Sequence, residues 1–95
     1  MKKIVEMYRN WRKDNNNRKP NRVIVKMHWE DEEPGNTHVD TIAIVPKRKL
    51  DEWLEPAYDF QMLYYVSSIN SLLDLMKPNN GSDFVVDEVL EFYKM

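Results

Sequence analysis

Residues 55–76, EPAYDFQMLYYVSSINSLLDLM, form the stretch around which the rest of the chain is expected to fold. It contains no Lys, Arg or Gly, and Pro56 stands near its start, where a helix loses nothing by a missing N–H. At about 100° per residue its large apolar side chains share one arc of about 120°: Tyr58, Met62, Tyr65, Val66, Ile69, Leu72, Leu73 and Met76. The pattern predicts a long core helix over 55–76, ended by Lys77 and Pro78, with Ile69 and Leu73 almost fully buried.

An N-terminal helix and a β-hairpin precede this stretch. The apolar residues of 1–13 follow helical spacing, opposite a basic face, and are expected to pack on the core: Ile4, Met7, Tyr8 and Trp11. The same pattern leaves open a basic amphipathic helix that binds an acidic lipid surface or protein groove. Residues 22–29 alternate as a strand, and an acidic loop over 30–36 (EDEEPGN) leads to a second strand over 37–45.

The register of the hairpin is predicted from one charge pair. If Trp29 lies opposite Thr37, then Lys26 faces Asp40 and Val25 faces Thr41, and the Lys–Asp pair contributes a few tenths of a kcal/mol. This register also sets His28 opposite His38. Whether the two histidines bind anything is left open. It gathers the acids of 30–33 at one end of the hairpin and six cations at the other: Arg18, Lys19, Arg22, Lys47, Arg48 and Lys49.

The tail over 83–95 fits two structures. Phe84, Val85 and Val86 favour a strand, whereas Val86, Val89, Leu90 and Tyr93 also match helical spacing. Because a two-stranded hairpin alone is marginal, a C-terminal strand from Phe84 is favoured, with a short helix after it left open. The expected fold is a single α+β domain over 1–95: N-terminal helix, antiparallel β-hairpin, long core helix and C-terminal strand.

Composition limits the class of protein. The 95 residues are 42% hydrophobic with 11 aromatic side chains, as in a globular domain. Cysteine is absent, which removes disulfides and thiolate metal sites and fits a reducing compartment. No secretory h-region and no apolar run of about 18 residues occurs, so a cytoplasmic protein without a membrane partner is expected.

Catalytic and cofactor motifs were sought and none is predicted. The two glycines, Gly35 and Gly81, are too few for a phosphate-binding loop, and EDEEPGN lacks the alternating acids of a calcium loop. The serines of 67–71 have no nucleophile elbow or neighbouring histidine. The chain is therefore expected to be no enzyme and to hold no metal or cofactor.

Two functions from different classes remain. The leading hypothesis is a small interaction or regulatory protein, with a protein partner or a second copy (a homodimer) covering an apolar interface on the back of the core helix: Phe60, Leu63 and Tyr64. The alternative is a nucleic-acid-binding accessory protein that uses the six cations, because residues 1–26 hold nine Lys or Arg against two acids while the whole chain has a net charge of −2. The sequence does not identify the partner.

Overall fold

One mixed four-stranded sheet with two α-helices on one face makes up the fold of the computed structural model, which describes residues 2–33, 35–49 and 64–95. The elements are α1 (Lys2–Asp14), β1 (Arg22–Trp29), β2 (His38–Ile44), a 3-10 helix (Lys47–Lys49), β3 (Tyr64–Val66), α2 (Ile69–Asp74) and β4 (Phe84–Tyr93). The strand order is β3-β2-β1-β4, with β3 parallel to β2 and the other neighbours antiparallel. The expected α+β fold with an N-terminal helix is confirmed.

Helix α1 packs its apolar stripe on the core, as predicted. Ile4 is buried, and the ring of Tyr8 meets the buried Phe92 edge to face at 5.7 Å. Three asparagines then end the helix: Asn15 Nδ2 donates to the Trp11 carbonyl at 2.7 Å, and the next two residues take positive φ angles of 56° and 61°. Asparagine tolerates this left-handed conformation, so the triplet turns the chain towards β1.

The observed hairpin register differs from the predicted one by a single residue. Lys26 lies opposite Val39, and Val25 lies opposite Asp40, so the predicted Lys26–Asp40 pair is wrong. A shift of one residue exchanges the faces of a strand. It moves Ile42 onto the core side of the sheet, where it is 1% exposed, and leaves Val39 64% exposed on the other side.

The predicted continuous helix over 55–76 is wrong. Tyr64–Val66 form β3, which pairs with Ile42–Ile44, and the Val45 N–H donates to the Val66 carbonyl at 2.8 Å. Ser68 then starts the short helix α2, because its Oγ accepts from the Ser71 N–H at 3.2 Å. The first nine residues of the expected helix, 55–63, lie outside the described residues.

Burial within α2 also differs from the expectation. Leu72 is the fully buried residue of this helix, whereas Ile69 and Leu73 are half-buried against the same core. In this short helix Leu72 faces the sheet directly, and Ile69 and Leu73 lie beside it. The core lies between this helix, α1 and the inner face of the sheet, and it centres on Val23, Val25, Met27, Ile42, Leu72 and Val86.

Strand β4 starts at Phe84, as predicted, and runs to Tyr93, so the C-terminal helix left open is not found in the described residues. Its pairing with β1 shifts register at Ile24/Val25 and at Lys26/Met27, which marks two β-bulges. The start of its outer edge is capped. The Val86 N–H donates to the Leu75 carbonyl at 2.8 Å, and Asn80 Nδ2 donates to the Phe84 carbonyl at 3.2 Å.

Candidate binding surfaces at the two ends of the sheet

Three strand ends meet at Asn21. The Ile44 N–H donates to the Asn21 carbonyl at 3.0 Å, and the Asn21 N–H donates to the Tyr93 carbonyl at 3.1 Å. The Asn21 side chain also accepts from the Met95 N–H at 2.9 Å. The segment before β1, the segment after β2 and the end of β4 therefore come together at one end of the sheet.

These three segments carry the six predicted cations and one more. We call this set the basic end: Arg18, Lys19, Arg22, Lys47, Arg48, Lys49 and Lys94. All seven are exposed except Arg22, which is half-buried and donates from Nη1 to the Asn21 carbonyl at 2.8 Å. Across the described ranges no carboxylate forms an ion pair with any of them. The sequence missed Lys94 because the end of β4 was not placed beside β1.

Three aromatic rings meet on the core-side face of the sheet, where Trp29 at the end of β1 pairs with Phe84 at the start of β4. Tyr64 and Phe84 lie 4.7 Å apart between ring centroids, and Trp29 contacts both edge to face at 5.8 and 5.9 Å. We call these three residues the aromatic cluster. Phe84 is buried, whereas Trp29 and Tyr64 are only half-buried, so the cluster shows two rings to solvent. Such edge-to-face contacts fix ring orientation as well as burying apolar area.

Two open grooves lie beside the cluster, and Trp29 and Asp83 line both of them. The aromatic groove, of about 490 Å³, is bounded by the cluster and by Gly81, Ser82 and Asp83. The acidic groove, of about 700 Å³, is bounded by Trp29, Glu30, Asp31, Glu32 and Asp83. Aromatic surface and carboxylates thus line two neighbouring grooves.

Tyr64 experiences the negative charge of this end. Partial desolvation of its phenol raises its pKa above the ordinary 10.0, and the carboxylates of Asp40 and Asp83 raise the pKa further. Both effects disfavour the phenolate. Asp40 comes from β2 and Asp83 precedes β4, so carboxylates from two strands surround one ring.

Of the predicted interface residues, only Tyr64 falls within the described part of the chain. It lies on β3 in the aromatic cluster, not on the back of a helix as expected. Phe60 and Leu63 lie outside the described residues. Trp29 and Phe84 complete the surface, and no sequence pattern groups them, since 55 positions separate them along the chain.

The two histidines lie on opposite faces and each contacts a different carboxylate. His38 pairs with Met27 and therefore lies on the core-side face of the sheet. His28, which follows Met27 along β1, lies on the opposite face. His28 Nδ1 is 2.8 Å from an Asp87 oxygen, and His38 Nε2 is 2.8 Å from a Glu32 oxygen. Their predicted cross-strand pairing is therefore wrong. In the described ranges no group of three or more His, Cys, Asp or Glu is arranged to hold a metal ion.

Glu32 organises the loop between β1 and β2. Its carboxylate accepts from the Trp29 N–H at 3.1 Å, from the Asn36 side-chain amide and from His38. The hydrogen bond to His38, followed by the one to the Trp29 backbone, lowers the pKa of Glu32 from 4.5. The loop beside Trp29 is thus held by a carboxylate that folding keeps ionised.

Comparison of the chain with protein-family models, with curated proteins and with solved structures finds no match. Within the described residues, neither α-helix has the length and apolar character that crossing a membrane requires. Function is therefore argued from the geometry of the two ends of the sheet.

Proposed function

We propose that this protein is a small, non-enzymatic cytoplasmic interaction protein that docks a partner in the aromatic and acidic grooves. The observation that carries this proposal is the aromatic cluster. Trp29 and Tyr64 keep part of their ring surface exposed although both contact the buried Phe84. Rigid, half-exposed aromatic rings are characteristic anchors of protein interfaces.

The charge around the rings selects the chemistry of the partner. Glu30, Asp31 and Asp83 are exposed at the rim of the grooves, and none of them is in an ion pair among the described residues. A cationic side chain would gain both from these carboxylates and from the electron-rich faces of Trp29 and Tyr64. We therefore propose a partner segment that carries Arg or Lys beside an apolar side chain.

Support for a binding role over a catalytic one comes from how the titratable side chains are used. His38 and Glu32 hold the loop, and His28 contacts Asp87 on the other face of the sheet. Neither histidine lines the two grooves. The side chains that do line them are aromatic rings, serine and carboxylates, and these suit recognition of a cation.

A peptide titration tests this function. The labelled pentapeptide Gly-Arg-Leu-Arg-Gly should shift the indole N–H resonance of Trp29, while that of Trp11, which lies on α1 and packs on the core, stays in place. The Asp31→Lys/Asp83→Lys variant should weaken binding at least about tenfold, equivalent to about 1.4 kcal/mol. The matched control Glu6→Lys/Glu91→Lys makes the same charge change at exposed positions away from the grooves.

Three outcomes would contradict the proposal: no shift at Trp29, equal binding of Gly-Glu-Leu-Glu-Gly, or equal weakening by the control variant. A second copy of the chain can also supply the cationic segment, through its own basic end. A symmetric dimer through the grooves is disfavoured because it would bring two sets of carboxylates together. In place of the homodimer expected from the sequence, we therefore propose head-to-tail self-association, which need not stop at two copies.

A further inference from the structure

We propose that the basic end is a second binding surface that contacts the phosphate backbone of single-stranded nucleic acid. The proposal starts from the assembly at Asn21, which joins the ends of β2, β1 and β4 by hydrogen bonds of 2.9–3.1 Å. The seven cations of the basic end come from three segments that only folding brings together. A run of lysines in an unfolded tail would not have this fixed arrangement.

The size of the surface matches a short run of phosphates. Neighbouring strands lie about 4.8 Å apart, so the ends of β2, β1 and β4 span about 10 Å. A stacked nucleic-acid strand presents one phosphate about every 3.4 Å, so about three phosphates face this width. Lys47–Lys49 adds three successive cations in one turn of 3-10 helix, closed by the Lys49 N–H donating to the Pro46 carbonyl at 2.8 Å.

The net charge of −2 does not oppose this binding at Arg22, because the acids of 30–33 follow the far end of β1. Strand β1 has eight residues, which at about 3.3 Å per step place its ends about 23 Å apart. The Debye length at physiological ionic strength is about 8 Å, so the carboxylates near Trp29 are screened from a ligand at Arg22. The local charge at the basic end determines the interaction. This charge is positive, and none of its cations is in an ion pair within the described residues.

One ring at the basic end favours nucleic acid over other polyanions. Tyr93 lies opposite Arg22 in the β1–β4 pairing and is half-buried, so part of its ring remains accessible. A base can stack on such a ring while its phosphates lie against the cations. A lipid headgroup or an acidic peptide would use the cations and gain nothing from stacking.

Fluorescence anisotropy with labelled dT20 as the probe tests this site. Three phosphate contacts predict a slope of log affinity against log salt of about −2, or roughly 15-fold weaker binding at 200 mM than at 50 mM KCl. The Lys47/Arg48/Lys49→Ala variant should bind at least tenfold more weakly at 50 mM and lose at least about one unit of slope. Tyr93→Leu should weaken binding without changing the slope.

The control Lys3/Lys26/Lys77→Ala removes the same charge from exposed positions away from this end and should retain wild-type affinity. Equal loss of affinity in both triple variants would overturn the proposal, because it would reflect net charge and not a site. So would binding to phosphatidylserine vesicles with none to dT20, which would assign the surface to a membrane. Absence of dT20 binding by the wild-type protein at 50 mM KCl would also overturn it.

Discussion

Among single residues, Glu32 has the clearest energetic role. It joins the end of β1, the loop and the start of β2 through Trp29, Asn36 and His38. Its pKa is lowered in the folded protein, so the folded state binds fewer protons than the unfolded chain at acidic pH. Its contribution to stability is complete above about pH 4.5 and is lost as pH falls through the lowered pKa.

Replacing this carboxylate should therefore change how stability depends on pH. Glu32→Gln should lower the free energy of unfolding at pH 6, and the difference from wild type should be smaller at pH 3, because protonation of the carboxylate increases as pH falls towards its lowered pKa. Urea denaturation at both pH values measures this. Glu33→Gln, at the exposed next position, is the control. A constant difference between wild type and Glu32→Gln at both pH values would contradict the assignment.

The single residues also show what sequence could and could not provide. The six cations were predictable because a hairpin brings its flanking segments together whichever register it adopts. The role of Asn21 was not predictable, because nothing marks a loop asparagine as one that will join the ends of three strands by hydrogen bonds. Trp29, Tyr64 and Phe84 could not be grouped, since each starts or ends a different strand, and Tyr64 and Phe84 lie on the two opposite edge strands.

Among the secondary-structure elements, β3 shows why apolar periodicity misled. Tyr64, Tyr65 and Val66 fit a helical arc, but aromatic and β-branched residues also favour strands. Their burial alternates as a strand's does, and pairing with β2 determines the outcome. The Ser67–Ser68 pair that follows was the available signal, because serine commonly precedes the first turn of a helix.

The hairpin register was misjudged for an energetic reason. An exposed cross-strand ion pair contributes roughly 0.2–1 kcal/mol, whereas burying an isoleucine side chain contributes about 1.5–3 kcal/mol. The observed register gives up the pair between Lys26 and Asp40 and buries Ile42 instead. Core burial exceeds a surface charge pair, so the size of the side chain that a register buries is a better guide than the charge pair it makes.

Helix α2 should depend on Leu72. Its side chain is fully buried, so Leu72→Ala should lower the free energy of unfolding by about 2–5 kcal/mol through lost burial and the cavity left behind. Leu73→Ala, at the half-buried neighbour, should cost clearly less. Chemical denaturation of the two variants side by side measures the difference. Equal losses would mean that the helix presents a different face to the sheet.

The connection between α2 and β4 should depend on Asn80. Its amide donates to the carbonyls of Leu75, Lys77 and Phe84 at 3.0, 3.0 and 3.2 Å, and its oxygen accepts from the Ser82 N–H at 2.8 Å. Asn80→Ala removes these bonds, leaves the carbonyls of Lys77 and Phe84 without this donor, and should cost about 1–3 kcal/mol.

Hydrogen exchange provides the second measurement for Asn80. The Val86 N–H should exchange faster in Asn80→Ala, because the Leu75 carbonyl that holds it lies in the loop that Asn80 ties down. Asn70→Ala, at an exposed helical position, should leave both the stability and this exchange rate close to wild type. Unchanged Val86 exchange in Asn80→Ala would show that the cap holds without the amide.

At the scale of the whole molecule, opposite charges lie at the two ends of one sheet. We expect weak head-to-tail association when salt is low, because the basic end of one copy is complementary to the acidic groove of another. The average sedimentation coefficient should rise with concentration at about 10 mM salt, where screening extends about 30 Å, and stay constant at about 1 M, where it extends about 3 Å. Because a head-to-tail contact need not close, a range of species is expected instead of a single dimer.

Charge reversal at one end tests the orientation of this contact. Lys47/Arg48/Lys49→Glu should remain monomeric at low salt, and so should Asp31→Lys/Asp83→Lys. An equimolar mixture of the two variants should be able to associate, since each carries the charge that the other lacks. Association that persists in either variant alone, or that survives about 1 M salt, would point to a different interface.

The cap on the outer edge of β4 has a consequence for how this protein aggregates. Phe84, Val85 and Val86 are a short apolar run with high strand propensity, the kind of segment that seeds fibrils when its edge is free. Asn80 and the Leu75 carbonyl occupy the hydrogen-bonding groups of Phe84 and Val86 that another chain would otherwise recruit. Local opening of residues 75–83 would therefore be the step that begins fibril growth, well before global unfolding. The lag time of fibril formation would then follow the lifetime of one asparagine side-chain contact more closely than it follows the melting temperature.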